Sequence, residues 1–290
     1  MDWEGRIGGI RQGRSGDTRA PHKPLLLLYA LGHHQRHGAA PILYSAAEDR
    51  LRLLLEEFAP PVKRPNPAQP FHHLAHDDGL WRVATDDGLD SRPDPSALRA
   101  GGARGSLTPE FSRALEADPG LRTRAARLLL DANFPASLHG EVLALAGLAL
   151  VPGRWAASAD RDPRFREAVL AAYGHRCAFC GYEGLMDGVP AGLKAAHVRW
   201  WSQAGPDTVD NGLALCANHH LLFDRGVIGL TPDLTLDVSP RFEPRSAEAE
   251  RIVTGLAGRG LLLAEGTPPV DADHAGWHRR EVFKHLVRAG

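Results

Sequence analysis

The chain has 290 residues, 43% of them hydrophobic and 24% charged, with a formal net charge of −1. This is globular composition, long enough for two core-bearing domains of average size, and it excludes disordered and fibrous classes. No apolar run approaches the roughly 18 residues of a membrane span, the longest being 25–31 and 142–151, so no membrane is predicted as a partner.

Met1-Asp2-Trp3-Glu4 begins acidic, without the basic-then-apolar order of a signal peptide, which predicts a cytoplasmic protein. The near-zero net charge removes overall basicity as an argument for nucleic acid, so local distribution has to carry that case. Arg6, Arg11, Arg14, Arg19 and Lys23 stand against the single acid Asp17, interleaved with glycines at 8, 9, 13 and 16. Two readings are open: a basic segment laid along phosphates, or a solvated, mobile terminus.

A buried helix is predicted over 21–36, entered through Pro21 and Pro24 and continued by Leu25, Leu26, Leu27 and Leu28. A second helix runs from Ser45, taken as its N-cap, to Phe58, with Leu51, Leu54, Leu55 and Phe58 at helical spacing. The proline-rich stretch 62–70 is predicted as a loop or spacer, with Pro70 as a loop stop before a strand. Residues 71–74 and 80–83 then flank His76-Asp77-Asp78-Gly79 as a short hairpin with an Asp-Gly turn. Helices follow over 109–117, 120–133 and 137–150. His33, His34 and His37 have helical spacing but no carboxylate or cysteine beside them, and His72, His73 and His76 read as surface or groove residues rather than a metal cluster.

Val151-Pro152-Gly153 ends the apolar helix and Arg161-Asp162-Pro163 precedes a new one over 164–173, which places a domain cut at residue 155: domains 1–155 and 156–290. Residues 193–196 are a predicted strand ending at His197, and Asn211 precedes a helix expected to run through Leu213, Leu215 and Leu222. Two strands around Thr231-Pro232-Asp233, an amphipathic helix over 248–258 and a terminal helix over 277–287 complete the chain. The last is expected to dock its aromatics on the second domain. Trp200 and Trp201 read as packing residues, with base stacking as the alternative. The fold class is α+β, with a mixed, helix-rich first domain.

All three cysteines fall in one pattern. Cys177-Ala-Phe-Cys180 and Cys216-Ala-Asn-His219 are the two halves of a tetrahedral zinc site, and thiols so spaced are metal ligands more often than disulfides. On a helix, His220 and Asp224 are four apart and share a face, whereas Cys216 and His219 share a neighbouring one. Zinc is therefore assigned to Cys177, Cys180, Cys216 and His219, and a harder ion, magnesium or manganese, to His220 and Asp224. His197 supplies an imidazole that can take a proton from water near neutral pH, and an amide such as Asn211 can fix its orientation. Base, orienter and metal together are a phosphodiester hydrolase's inventory.

With those residues in order, residues 177–226 resemble an HNH, or ββα-metal, nuclease domain of the subgroup braced by a zinc knuckle. The resemblance implies that His197 is the general base, that Asn211 positions it, and that His220 with Asp224 holds the catalytic ion. Many such domains carry a metal ligand just before the base; Ala196 stands there, implying fewer protein ligands and more water. The segments Arg19-Ala-Pro-His-Lys-Pro-Leu-Leu-Leu-Leu and Gln69-Pro-Phe-His-His-Leu, with Gly79-Leu-Trp81, resemble the sulfur-binding domain of McrA-like type IV restriction endonucleases. That implies double-stranded phosphorothioated DNA as partner. It also implies a sulfur cup of Pro70 and His73 beside Gln69, with Arg19 supplying charge and Arg14, Lys23 and His72 as secondary phosphate or base contacts. Sulfur is larger and more weakly hydrated than oxygen, so a shallow apolar cup rewards it. A homodimer is expected because one HNH site cuts one strand. The competing functions are an HNH endonuclease for another modification or plain sequence, and a non-catalytic zinc-braced DNA-binding regulator.

Overall fold

The computed structural model describes residues 1–77, 79–88, 90–150 and 163–285. The chain folds as two compact units, Met1–Ala59 with Arg64–Ala157 and Pro60–Lys63 with Ser158–Gly290. The expected cut at residue 155 and its 151–153 signal lie outside the described residues. No described helix is long and apolar enough to cross a membrane.

The first unit opens with helix α1 (Trp3–Gly8), whose N-terminus is capped by the Asp2 carboxylate accepting from Gly5 N, 2.8 Å, and whose Trp3 and Ile7 are buried. The start of the basic segment, residues 6–8, thus belongs to a packed helix. It leads to a small hairpin, β1 (Arg14–Ser15) and β2 (Thr18–Arg19), and then to α2 (His22–His37). Leu25, Leu26, Leu27 and Leu28 on α2 are all at most 1% exposed, each side chain contributing about 1.5–3 kcal/mol by leaving water. Strand β3 (Ile42–Leu43) runs straight into α3 (Tyr44–Phe58). Ser45 is not its cap: the helix begins at Tyr44, whose N–H is taken by the Ala103 carbonyl at 2.9 Å, so docking on the sheet replaces a capping side chain.

The predicted spacer and hairpin are also corrected. Residues Ala68–His73 form helix α4, tightened to a 3-10 turn over Leu74–His76. Pro70 sits in the first helical turn, where a missing N–H costs no hydrogen bond, and is not a loop stop. Ala68, Phe71 and Leu74 are buried at helical spacing. Strand β4 (Trp81–Ala84) therefore finds a distant partner. After α5 (Pro95–Ala100), β5 (Arg104–Leu107) enters the centre of an antiparallel sheet in the order β3-β5-β4. Trp81 ties sheet to helix: its Nε1–H donates to the Phe71 carbonyl at 2.9 Å and its ring meets the Phe71 ring edge-on at 5.4 Å. Gly105 makes room for that indole, since a Cβ there would lie 2.0 Å from a Trp81 ring carbon. Helices α6 (Pro109–Ala117), α7 (Leu121–Asn133) and α8 (His139–Ala146) close the unit, with α2 packed against α3, α4, α7 and α8. Helix α8 is shorter than the predicted 137–150 because Gly147, at φ 67°, ends it in the left-handed conformation.

The second unit begins with α9 (Pro163–Ala172), followed by a hairpin of β6 (Leu185–Met186) and β7 (Val189–Pro190). Strands β8 (Leu193–His197) and β9 (Gly212–Cys216) pair antiparallel with His197 opposite Gly212 and Leu193 opposite Cys216, and helix α10 (Ala217–Asp224) follows directly. The helix expected through Leu213 and Leu215 is thus a strand up to Cys216. Leu213, Ala214 and Leu215 are all fully buried because α9 and α10 both pack on this hairpin, so the alternation that marks a strand is absent from the sequence. Strands β10 (Ile228–Leu230) and β11 (Leu236–Val238) pair as expected. The helix expected over 248–258 is two short pieces, α11 (Ala247–Ile252), capped by Ser246, and a 3-10 turn over Thr254–Leu256. The terminal helix α12 (Ala272–Glu281) starts five residues before its predicted 277 because the Asp271 carboxylate caps Asp273 N and His274 N. It ends at Glu281; the predicted end at 287 lies outside the described residues. Its Trp277 packs edge-on against Trp200, centroids 5.6 Å apart, and His278 stacks flat on Phe223. Trp201 is 48% exposed.

Candidate functional site

The donor atoms of Cys177, Cys180, Cys216 and His219 lie within 4.8 Å of one another. The first two come from the turn after α9, and the second two from the junction of β9 with α10. His219 Nδ1 stands 3.5 Å from the Cys177 sulfur and 3.3 Å from the Cys216 sulfur. Its Nε2–H donates to the Ile252 carbonyl at 2.8 Å, the outer bond that fixes an imidazole to ligate through its other nitrogen. The group is electrostatically frustrated by itself. Cys177 is pulled far below the usual thiol range by Cys180 and Cys216, and Cys180 is pushed above it by Cys177 and Cys216. Burial opposes charge on His219, yet contacts with the Cys177 and Cys216 sulfurs lift it to about 10. Three thiols and an imidazole competing for protons, Cys177 and His219 buried and Cys180 exposed, suit a divalent cation, which replaces those protons.

A second group occupies the ends of the same ββα element. His197 closes β8, 11% exposed, with its ring stacked on Phe165 at 4.1 Å and its Nε2 2.7 Å from Asp207 Oδ1. Asn211 directs its hydrogen bonds to the loop backbone. Fully buried, it accepts from Arg199 N at 2.8 Å and donates to the Arg199 and Pro206 carbonyls at 3.0 and 2.9 Å. Its amide pins the loop between β8 and β9, and that loop carries Asp207, so its hold on His197 runs through the backbone. Gly205 lets the loop close: a Cβ there would lie 1.8 Å from the Arg199 carbonyl oxygen. On α10, His220 Nε2 is 3.1 Å from Asp224 Oδ2, the carboxylate only 1% exposed. The neighbouring His219 turns to the sulfur cluster. An imidazole and a carboxylate at this spacing form a separate donor pair able to hold a harder ion. Sequence reasoning missed Asp207 and Phe165. Asp207 and Asp210 are the only carboxylates between His197 and Asn211, but nothing in the sequence marks which of them meets the imidazole.

In the first unit a cavity of about 490 Å³ is lined by Arg11, Lys23, Gln69, Pro70, His73 and His76 among others. Pro70 is buried and Gln69 exposed at its wall. Lys23 and Arg11 are both held by Asp77, whose carboxylate is 4% exposed: Lys23 Nζ lies 2.6 Å from Oδ2 and Arg11 Nε 3.1 Å from Oδ1. The sequence places Arg11 in a basic segment and Asp77 in a turn but not together; the two ion pairs join residues 66 and 54 apart along the chain. Three of the expected DNA-contact residues do not line this cavity. Arg19 donates to the Ala132 carbonyl at 2.8 Å near the end of α7. Arg14 sits exposed in the hairpin opposite Arg19. His72 turns its Nδ1 to Ser91 Oγ at 2.7 Å.

Residues 2–151 match a family model described as ScoMcrA-like, DNA sulfur-binding domain, and residues 177–231 match a model described as HNH endonuclease. Among solved structures, the sulfur binding domain of ScoMcrA complexed with phosphorothioated DNA is 25% identical over 51% of this chain and 99% of that one, TM-score 0.43. The sulfur binding domain of SprMcrA complexed with phosphorothioated DNA is 24% identical over 50% and 93%, TM-score 0.42. The type IV phosphorothioation-dependent restriction endonuclease ScoMcrA is 15% identical over 89% and 98%, TM-score 0.41. No curated protein matches the chain.

Proposed function

Because the chain belongs to the ScoMcrA-like DNA sulfur-binding family and carries an HNH endonuclease domain, we propose that it is a restriction endonuclease that binds phosphorothioated DNA through its first unit and hydrolyses phosphodiester bonds with its second. The observation that carries the catalytic half is the pairing of His197 with Asp207 at one end of the ββα element while His220 and Asp224 form a donor pair of their own, apart from the sulfur cluster.

His197 is the general base. Its Nε2–H donates to Asp207, and Nδ1 takes the proton of the attacking water; Asp207 then stabilises the imidazolium, and Phe165 holds the ring plane. The water oxygen bonds to phosphorus as the bond to the 3′ oxygen breaks, leaving a 5′ phosphate. His220 and Asp224 would hold a magnesium or manganese ion, which would supply charge stabilisation for the departing oxygen. Cys177, Cys180, Cys216 and His219 would hold zinc, which would brace the turn after α9 against α10 and add folding energy to that of the core in which Cys177 and Phe179 are buried. In the first unit, Pro70 and the carbon face of His73 form the wall that favours sulfur, and Lys23 and Arg11 face the phosphate backbone. Arg14 and Arg19 on the neighbouring hairpin, with Gln69 and His72 beside the cavity, complete the contact surface. A homodimer would bring a second site to the other strand.

Cleavage of one duplex with and without a phosphorothioate link, by the native chain and by His197→Ala, tests the proposal. The native chain should cut the modified duplex preferentially, and His197→Ala should bind it without cutting. Equal affinity for the two duplexes would remove the sulfur reading, and cutting by His197→Ala would remove the base.

A further inference from the structure

We propose that His72, His73 and His76 form a third metal site, for an imidazole-preferring divalent transition ion such as nickel, copper or zinc, distinct from the sulfur cluster and from His220 and Asp224. The sequence spacing alone read as surface residues; the fold changes that. Helix α4 ends at His73 and tightens into the 3-10 turn Leu74–His76, which brings residues three and four apart onto one side. Ring centroids are 4.8 Å apart for His72 with His73, 4.8 Å for His72 with His76 and 5.9 Å for His73 with His76, and one nitrogen from each lies within 4.8 Å of the others.

The backbone beneath the three rings is anchored. Phe71 and Leu74 are fully buried, and the Trp81 indole holds the Phe71 carbonyl, so the cluster stands on a fixed turn. His72 has the outer partner that ligating imidazoles use: its Nδ1 lies 2.7 Å from Ser91 Oγ, and donation of that N–H leaves Nε2 as the ligand atom. Three nitrogen donors without thiolate or bound carboxylate select imidazole-preferring ions over magnesium or calcium, which want oxygen. Tetrahedral ligation needs the nitrogens, within 4.8 Å of one another here, to close to about 3.4 Å, and none of the three rings is buried. His73 and His76 line the cavity that holds Pro70, so the ion's remaining positions open toward it. The site itself does not depend on the phosphorothioate reading, because it is measured without DNA.

The test uses the full chain with zinc in its cysteine cluster and His220→Ala, which removes the imidazole of the nuclease pair. Calorimetric titration with nickel should show one further ion per chain. His73→Ala with His76→Ala should abolish it, and Ser91→Ala, which leaves the ligands in place, should weaken it by about tenfold. Copper bound to the same protein should show three nitrogen couplings by electron paramagnetic resonance, fewer in the histidine variants. Absence of the extra ion in the parent, or unchanged affinity in the double variant, overturns the site.

Discussion

Replacing Asn211 by alanine separates two accounts of how this residue serves His197. Its side chain makes three hydrogen bonds, one from Arg199 N and one each to the Arg199 and Pro206 carbonyls, all at 2.8–3.0 Å and in a fully buried position. At about 1 kcal/mol net per bond the loss is roughly 3 kcal/mol, and more if the abandoned carbonyls stay dry. That is a change of at least about a hundredfold in the folding equilibrium of the second unit. Asn211→Asp keeps the acceptor for Arg199 N but turns a carboxylate on two carbonyl oxygens, so it should cost as much or more. Urea unfolding monitored at the Arg199 amide by hydrogen exchange reports the pin directly, and cleavage of modified DNA reports its effect on His197. Both should fall together, because Asp207 rides on the same loop. If Asn211→Ala keeps native stability and Arg199 protection while cleavage disappears, the amide acts at the reacting groups and the loop argument is refuted.

Asp207→Asn should leave DNA affinity intact and lower the cleavage rate by less than the ~10²–10⁴-fold expected for His197→Ala, since the base survives without its partner; single-turnover rates at saturating DNA measure it. Gly105→Ala drives a Cβ into the Trp81 ring and, at 2.8 Å, the Phe71 ring, and should destabilise the first unit by about 1–3 kcal/mol or more in urea titrations. His22, His33 and His34 are all held below their ordinary value of 6.5, chiefly by burial. The unfolded chain therefore binds more protons than the folded one below that value, and the first unit's stability should decline as pH falls from 6.5. Denaturation midpoints at pH 7.5 and 5.5 check the sign; a higher midpoint at the lower pH would contradict it.

What could be read from the chain was local. Four consecutive leucines between Pro24 and Tyr29 announce a buried helix, Thr108-Pro109 starts one, and the CxxC and CxxH spacings bring four ligands together whatever the rest of the fold does. What could not be read depended on distant partners. The Asp-Gly turn pairs Trp81 with residues 71–74 on paper, but its strand partner is residues 104–107, beyond a helix no hairpin rule anticipates. Leu213, Ala214 and Leu215 are buried on both faces, so neither period is visible and a run that suits a helix serves as a strand. The nuclease residues His197, Asn211, His220 and Asp224 were legible because residue type and order persist when an element is misassigned. Asp207 was not, because an acid in a loop is ordinary until the loop's path is known.

Asp77 sets the charge economy of the first unit's cavity. One nearly dry carboxylate faces two cations, Arg11 and Lys23, so the three together present about one positive charge to an approaching duplex, where the cations alone would present two. Counterion release scales with the phosphates neutralised, at roughly 0.9 per contact in the logarithmic salt slope. A cavity so neutralised gains little from any backbone that merely carries charge. On the proposed reading, ordinary DNA gains little from this cavity's charge, and discrimination falls to the wall formed by Pro70.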